Sequence, residues 1–365
     1  MPAILTPSSA ARLRLAGQRL LASTFTRPVE AVKWMTAMQG QDLPGALWSV
    51  GLRVPGAGRS AVQAALDAGE IVRSWPLRGT LHLTAAEDLG WILSLTSGRM
   101  VAGQTGRHRQ LGIEDRDVEV AREAAHRVLE EHGEASRDEL MAAFQTAGQE
   151  TTGQRGIHLL WLLSLTGTLV QGPSHGNGQK FMLMERWIPA PRVLDRSEAL
   201  AELATRYFTS HGPATLQDFA WWAKLTLTDA RAGLAAAQPD LAEAQLDGSS
   251  VWMAPETAAL SDAKAVPGAQ SLLLLPGFDE FLLGYADRSA ALAPEHAEAI
   301  VPGGNGVFRS TIVAGGRVAG TWAKGAKTPK GGAAVVVPSP FAELTAAQQR
   351  KLDKAAAAYA TFMAS

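Results

Sequence analysis

One order of elements recurs along this chain and constrains its fold more than any other feature: three helices followed by a two-stranded hairpin. The clearest copy covers residues 114–185, where three segments with helical spacing of apolar residues precede two short strand-like segments. The same order returns over residues 197–253, in which Asp247-Gly248 predicts the tight turn of a hairpin. It also fits residues 8–83. The sequence therefore predicts tandem winged-helix units, each so short that it must pack against its neighbours to be stable.

The chain beyond residue 265 has a different pattern, in which a Gly- and Val-rich segment replaces the Ala-rich helices. Strands are predicted over residues 271–275, 308–313, 317–322 and 333–337, and a closing helix over residues 342–363. We therefore predict an α+β fold with a β-rich C-terminal lobe. The predicted domains are three winged-helix units and this lobe, with the boundaries 1–112, 113–194, 195–264 and 265–365.

The charges of the chain nearly cancel, with 34 Lys and Arg against 35 Asp and Glu, which argues against a uniformly basic surface. Their distribution is uneven, because residues 300–341 contain no acidic residue whereas residues 114–139 are rich in acids. The basic residues of the acid-free segment are Arg309, Arg317, Lys324, Lys327 and Lys330. We therefore expect one basic patch that attracts a polyanion.

Composition excludes several chemistries. The chain has no cysteine, which excludes disulfides, thiol nucleophiles, iron–sulfur clusters and Cys-ligated zinc. Its 8 His residues include no i, i+4 pair with Glu of the kind that binds zinc, so we expect no metal and no cofactor. No apolar run approaches the roughly 18 residues that cross a bilayer, so we expect no membrane partner. The absence of cysteine and of an export signal leads us to expect a cytoplasmic protein.

Gln39-Gly40-Gln41-Asp42 is a concentrated polar group in the N-terminal unit. It lies where the predicted second helix, residues 28–38, ends and where Pro44 prevents its continuation. At a helix end, two amides and a carboxylate can point toward one spot, whereas in mid-helix the same side chains would diverge. On local sequence alone, a solvated helix C-terminus with Gly40 near the capping position is the favoured interpretation.

A second polar cluster contains Arg78, Thr80 and His82, which alternate onto one face of a predicted strand while leucines fall on the other face. An Arg, a Thr and a His on one face suit the binding of a phosphate or another polar ligand. A surface strand with one ordinary His is an equally good interpretation.

A third cluster follows the buried strand predicted over residues 271–275 and contains Asp279, Glu280 and, soon after, Arg288. Charged groups at the mouth of a buried strand are often functional. The alternative is an ion pair between Asp287 and Arg288 that only holds a loop in place.

These clusters belong to a series of motifs that occur in order along nearly the whole chain. The series comprises Gln39-Gly40-Gln41-Asp42 and residues 77–83 (LRGTLHL), 211–215 (HGPAT), 218–222 (DFAWW), 275–279 (LPGFD), 286–288 (ADR), 306–309 (GVFR) and 320–322 (GTW). With this series the chain resembles the AlkZ-like winged-helix DNA glycosylases. The signature of that family is Gln, an aliphatic residue, then Gln or Asp, so Gly40 here takes the place of the aliphatic residue.

The resemblance implies tandem winged helices and a barrel-like β lobe in a C-shaped arrangement around a DNA channel. It implies a monomeric, nucleoid-associated enzyme that excises N7-alkylated purines from double-stranded DNA and unhooks interstrand crosslinks. It further implies that Gln39 and Gln41 are catalytic, Gln41 positioning water while Gln39 contacts the sugar or the lesion. The residues expected to contact the substrate or the DNA are Asp42, Arg78, Thr80, His82, Asp279, Arg288, Arg309 and Lys324.

A non-enzymatic winged-helix protein, such as a transcription regulator or a DNA-binding scaffold, is the competing hypothesis. Regulators usually place an exposed basic helix in the major groove, whereas the third helix predicted over residues 157–165 is apolar on almost all sides. A third hypothesis is a family member with altered activity, because Gly40 loosens the backbone between the two proposed catalytic groups.

Overall fold

The computed structural model of the chain describes residues 3–175, 178–262, 266–325 and 335–365. Lys327, Lys330 and the first part of the strand predicted over residues 333–337 lie outside these ranges. So does residue 265, at which the last predicted domain begins. No helix among the described residues is long and apolar enough to cross a membrane.

The helices and strands of the described ranges follow one another in a mixed α+β order. The helices are α1 (Pro7–Gly17), α2 (Pro28–Met35), α3 (Leu43–Gly51), α4 (Arg59–Asp67), α5 (Ala86–Gly103), α6 (Thr105–Gln110), α7 (Asp115–His132), α8 (Arg137–Thr146), α9 (Arg155–Leu165), α10 (Met184–Trp187), α11 (Arg196–His211), α12 (Leu216–Ala223), α13 (Leu227–Ala237), α14 (Pro255–Ala259), α15 (Glu280–Leu283), α16 (Ala297–Ile300) and α17 (Ala346–Ala364). The strands are β1 (Ala3–Leu5), β2 (Met38–Gln39), β3 (Ile71–Leu77), β4 (Thr80–Ala85), β5 (Leu169–His175), β6 (Gly178–Leu183), β7 (Ala242–Leu246), β8 (Ser249–Met253), β9 (Leu272–Leu275), β10 (Thr311–Ala314), β11 (Arg317–Lys324) and β12 (Val336–Pro340).

The chain divides into two compact units. Unit 1 takes in the described residues up to 63, residues 200–222 and the described residues from 226 onward. Unit 2 takes in residues 64–199 and 223–225.

Unit 2 contains the clearest of the predicted winged helices. Helices α7, α8 and α9 pack around a core that includes Ala125, Phe144 and Leu163, and β5 and β6 follow as an antiparallel hairpin. The hairpin of β3 and β4 joins this sheet where Arg73 pairs with Gln171, which gives the strand order β4-β3-β5-β6. The element order predicted from residue 114 onward is therefore confirmed.

Unit 1 repeats the same order, with α11, α12 and α13 followed by the hairpin of β7 and β8. Asp247 and Gly248 have φ values of 50° and 79°, which is the left-handed pair that a tight hairpin turn requires. β1 extends this sheet by pairing in parallel with β7. The second predicted winged helix is confirmed in its elements.

The β-rich lobe of unit 1 is an antiparallel sheet in the order β12-β11-β10-β9. Its described strands remain an open sheet and do not close into a barrel. Helix α17 packs beside β9, and its Tyr359 ring contacts the rings of Trp48 and Trp322 at centroid distances of 5.3 and 4.9 Å. The lobe therefore shares its core with α3, which begins directly after the Gln39-Gly40-Gln41-Asp42 segment.

Candidate active site

The candidate catalytic segment, residues 39–42, lies in unit 1 between α2 and α3. The prediction that it ends a helix over residues 28–38 is wrong, because α2 ends at Met35 and Thr36 adopts a left-handed φ of 65°. The left-handed residue turns the chain sharply, and the segment leaves the turn in the extended conformation of β2. The segment therefore precedes a helix instead of ending one.

Helix α3 starts where the sequence suggested a break. Asp42 occupies the N-cap position, and Pro44 fits the first helical turn because the missing proline N–H has no helical partner there. A Cβ atom at Gly45 would lie 2.6 Å from the Asp42 carboxylate and 3.3 Å from the Pro276 ring, so the carboxylate in this position packs closely on the glycine. The Asp42 carboxylate thus lies over the first turn of α3, where the helix dipole favours negative charge.

The polar side chains of the segment differ in exposure. Gln39 is only 8% exposed, whereas Gln41 and Asp42 are exposed to solvent. The segment therefore carries the buried amide of Gln39, while the Gln41 amide and the Asp42 carboxylate lie on the surface of unit 1. Among the described residues, no group of three or more His, Asp and Glu side chains is placed to hold a metal ion.

A buried carboxylate fixes the backbone of Gln39. Glu280 at the start of α15 is fully buried, and its Oε1 accepts the Gln39 N–H at 3.0 Å. Its Oε2 accepts the indole N–H of Trp222 at 2.8 Å. Hydrogen bonds to a charged acceptor are stronger than neutral ones, so Gln39 is held in one position from the protein interior.

The environment of Glu280 is buried and aromatic. His211 Nε2 lies 3.6 Å from Glu280 Oε2, and the Tyr207 ring stacks on the His211 ring at 4.8 Å. Tyr285 donates its hydroxyl proton to the His211 carbonyl at 2.7 Å. Burial raises the pKa of both Tyr207 and Tyr285, so both remain neutral hydrogen-bonding groups.

Asp279 lies in a buried ion pair and not on a ligand-facing surface. Its carboxylate accepts hydrogen bonds from both terminal nitrogens of Arg53, at 2.9 and 3.2 Å. It also accepts from the Ser49 hydroxyl and from the Phe281 N–H. Arg53 is completely buried and Asp279 is 4% exposed. The Asp279 carboxylate therefore faces Arg53 in the interior of unit 1, and nothing in this geometry supports the expected contact with DNA. Removing one member of a buried pair costs about 3–5 kcal/mol.

Sequence reasoning placed Glu280 in the third cluster without giving it a role, and it missed Arg53. Glu280 stands directly before Phe281, Leu282 and Leu283, and a charged residue at the edge of such an apolar run can signal a paired, buried group. Arg53 carries no such signal, since its partner Asp279 lies 226 residues away in the sequence.

The remaining predicted residues of unit 1 lie at its surface. The Arg288 guanidinium lies over the Trp221 and Phe308 rings, at 5.2 and 5.1 Å, and its Nε donates to the Leu282 carbonyl at 2.8 Å. The side chains of Arg309 and Lys324 are exposed. All three cations therefore belong to the same unit as Gln39 and Gln41.

Arg78, Thr80 and His82 lie in unit 2, and the prediction that all three occupy one strand is wrong for Arg78. Arg78 and Gly79 form the turn between β3 and β4, with φ values of 54° and 73°. The Arg78 guanidinium still reaches His82, at 3.1 Å from Nε2, while His82 Nδ1 lies 2.8 Å from the Thr80 carbonyl. His82 therefore donates from Nδ1 and accepts at Nε2. Thr80 is half-buried, and the His82 side chain is buried and not available as a surface contact.

Comparison with known proteins gives one consistent result. The sequence model of the family described as DNA glycosylase AlkZ-like matches residues 32–362. The chain is 26% identical over 318 residues to an interstrand DNA cross-link repair glycosylase of Streptomyces sahachiroi, across 84% of this chain and 85% of that protein. Its structure is similar to that of Streptomyces sahachiroi DNA glycosylase AlkZ, with a TM-score of 0.82 and 25% identity, across 99% of this chain and 97% of that one.

Proposed function

Because this chain belongs to the family of AlkZ-like DNA glycosylases, which hydrolyse N-glycosyl bonds in DNA, we propose that its substrates are N7-alkylated purines and N7-linked interstrand crosslinks. The substrate class rests on two supports. One is the match to a protein named as an interstrand cross-link repair glycosylase. The other is the kind of chemistry that two glutamines can perform.

The chemistry of the lesion sets a low demand on the enzyme. Alkylation at N7 places a positive charge on the purine, so the base leaves with the electron pair of the C1′–N9 bond and becomes neutral. The sugar passes through an oxocarbenium-like transition state and takes up water at C1′, and the water releases a proton. Neutral amides are poor bases, yet they can orient the water and the sugar.

We propose the following division of roles. Gln41 would orient the attacking water, Gln39 would contact the sugar or the lesion, and the Asp42 carboxylate would stabilise the developing positive charge. The observation that carries the proposal is the hydrogen bond from the Gln39 backbone to the buried Glu280 carboxylate, because catalytic groups act only when held in place to a fraction of an ångström.

Crosslinked DNA fits an exposed catalytic segment better than a closed pocket. A crosslinked base is tied to the other strand, so it cannot be turned out of the duplex into a cavity as a single lesion can. Gln41 and Asp42 are exposed on unit 1, which suits a lesion that stays within the duplex. We further propose that Arg78, Arg309 and Lys324 neutralise DNA phosphates, as positively charged side chains do in DNA-binding proteins.

Among the described residues, helix α9 argues against a transcription regulator. Helix α9, the third helix of the winged helix in unit 2, buries Leu159, Leu160 and Leu163 in the core of that unit. Its N-terminal residue Arg155 is engaged with Asp117 at 3.1 Å. A helix with buried leucines and a paired Arg155 does not present the basic face that reads a major groove.

The decisive experiment uses duplex DNA with a single N7-methylguanine, and a second duplex with an N7–N7 crosslink, followed by alkaline cleavage of the abasic product. We expect the wild-type protein to release N7-methylguanine and to unhook the crosslink. Gln39→Ala and Gln41→Ala should abolish release while the affinity for DNA changes little.

Gln349→Ala, at an exposed glutamine on α17, is the matched control and should keep full activity. Unaltered release by both active-site variants would contradict the assignment. Sequence-selective binding of undamaged DNA without an abasic product would favour the regulator.

A further inference from the structure

Phe278 has a backbone conformation that ordinarily belongs to glycine. Its φ is 67°, in the left-handed region, where the Cβ of an L-residue crowds the backbone. Phe278 stands in the turn between β9 and α15, and glycine would occupy this conformation without strain. Strain of this kind persists when the surrounding structure requires it, and it concentrates at functional sites.

The turn between β9 and α15 places two carboxylates in the protein interior. It directs Asp279 and Glu280 into the interior, where they bind Arg53 and the Gln39 backbone. This requirement explains the left-handed backbone, but it does not explain the phenyl ring, since glycine would make the same turn at lower cost. The ring must therefore contribute something that glycine lacks.

The Phe278 ring is half-buried and belongs to a patch of aromatic and cationic side chains. Its centroid lies 6.3 Å from the Phe308 centroid at an angle of 53°. Arg309 lines the same small cleft as the two rings, and the Arg288 guanidinium lies over Phe308. We call Phe278, Arg288, Phe308 and Arg309 the aromatic–arginine patch.

The patch lies beside the candidate catalytic segment. Glu280, two residues after Phe278, accepts the N–H of Gln39. Pro276, two residues before Phe278, lies 3.3 Å from where a Cβ at Gly45 would be, in the first turn of α3. One flank of Phe278 is therefore hydrogen-bonded to Gln39, and the other lies close to the start of α3.

We infer that the aromatic–arginine patch binds one nucleotide of the DNA substrate next to the lesion, with the Phe278 ring packed against its base or sugar and the arginines facing its phosphates. Aromatic rings bind nucleobases through their π faces, and guanidinium groups match phosphate geometry. The partner is DNA because unit 1 also carries the proposed catalytic amides, so this inference rests on the proposed function.

The test compares Phe278→Gly with Phe278→Ala. Both variants lose the ring, but only glycine also relieves the left-handed strain. We expect the glycine variant to melt about 1 °C or more above the alanine variant, the reverse of the usual order. Both should lose activity alike, with kcat/KM for N7-methylguanine release reduced roughly 5- to 100-fold, the range of a lost aromatic–base contact.

Ala22→Gly is the matched control, since Ala22 is exposed and has a left-handed φ of 53°. It should gain stability in the same way and keep wild-type activity. If the ring only supports the fold, activity will follow stability, and Phe278→Gly will be clearly more active than Phe278→Ala. That result, or wild-type kcat/KM in either variant, overturns the inference.

A measurement of DNA affinity distinguishes a failure of this inference from a failure of the proposed function. The probe is a duplex that carries a tetrahydrofuran abasic-site analogue, which is not hydrolysed. Its Kd should rise in both Phe278 variants by a similar factor, whatever the activity of the wild type. A wild-type protein that releases no N7-methylguanine would refute the proposed function, while an unchanged Kd in the variants would refute the patch alone.

Discussion

Replacing the Glu280 carboxylate by an amide, Glu280→Gln, tests how firmly the backbone of Gln39 must be held. In the native protein the two carboxylate oxygens accept one N–H from Gln39, at 3.0 Å, and one from the Trp222 indole, at 2.8 Å. An amide has nearly the same shape but only one acceptor oxygen. Whichever way it turns, its NH2 group faces one of these two N–H groups, which then loses its acceptor.

The size of the effect follows from burial. Glu280 is fully buried, and a buried N–H that loses its partner costs about 1–3 kcal/mol, so the free energy of unfolding should fall by that amount. When the amide oxygen turns toward Trp222, the Gln39 backbone shifts. Because a misplacement of about 1 Å can cost on the order of 100-fold in rate, single-turnover release of N7-methylguanine should fall roughly 10- to 100-fold.

Trp222→Phe provides the background that isolates this contact. It removes the indole N–H, so the introduced amide can keep its oxygen on Gln39 and turn its NH2 toward the phenyl ring. Glu280→Gln should then cost less activity than in the wild type, with a coupling of about 0.5–3 kcal/mol in the double-mutant cycle. Glu295→Gln, at an exposed glutamate, controls for the loss of one negative charge.

Two results would refute the reasoning. An unchanged release rate for Glu280→Gln in the wild-type background would show that Glu280 does not position Gln39 for catalysis. An equal loss in the two backgrounds would show that Gln39 and Trp222 do not compete for one acceptor.

Two further predictions concern DNA affinity and pH. Arg309→Ala and Lys324→Ala should each weaken duplex binding by a factor that does not depend on the DNA sequence. Each should also lower the slope of log K against log salt concentration by about 1. Fluorescence anisotropy over a salt series measures this slope, and an unchanged slope excludes a phosphate contact. Burial lowers the pKa of His108 from its ordinary value of 6.5, so the unfolded chain binds the proton first and stability is lost as pH falls below 6.5. His108→Phe should therefore make the fall of the urea midpoint between about pH 6.5 and 5 shallower, and an identical pH dependence would show that His108 does not contribute.

Much of the fold follows from the sequence because its elements are amphipathic and locally signalled. Helices α7 to α9 and the hairpin of β5 and β6 fall where apolar spacing and turn residues place them. Helix α3 escaped prediction because Pro44 and Gly45 are read locally as breakers. In the folded protein Pro44 fits the first turn, and Gly45 makes room for the Asp42 carboxylate. A tertiary contact adds to this, since the Trp48 indole N–H on α3 donates to the Leu274 carbonyl at 2.8 Å.

Only part of the candidate site could likewise be predicted from the sequence. Gln39 and Gln41 stand out in the sequence because they form one short polar cluster, whereas the residue that holds the Gln39 backbone lies far along the chain. Glu280 and Gln39 are 241 residues apart, and no local pattern links them. Asp279 was recognised as a candidate, but its ion pair could not be predicted, since its partner Arg53 is equally remote, at a separation of 226 residues.

The discontinuity of unit 1 has a consequence for how the protein is made. Unit 2 is nearly one continuous stretch, residues 64–199, and its chain is complete on the ribosome long before the last parts of unit 1 emerge. Synthesis proceeds at about 5–20 residues per second, so roughly 10–50 seconds separate Gln39 from Glu280. Until the chain reaches Asp279, the carboxylate that pairs with Arg53 has not yet been synthesised. A nascent chain released before α15 carries a finished winged helix and the proposed catalytic glutamines, but it lacks the carboxylate that holds the Gln39 backbone.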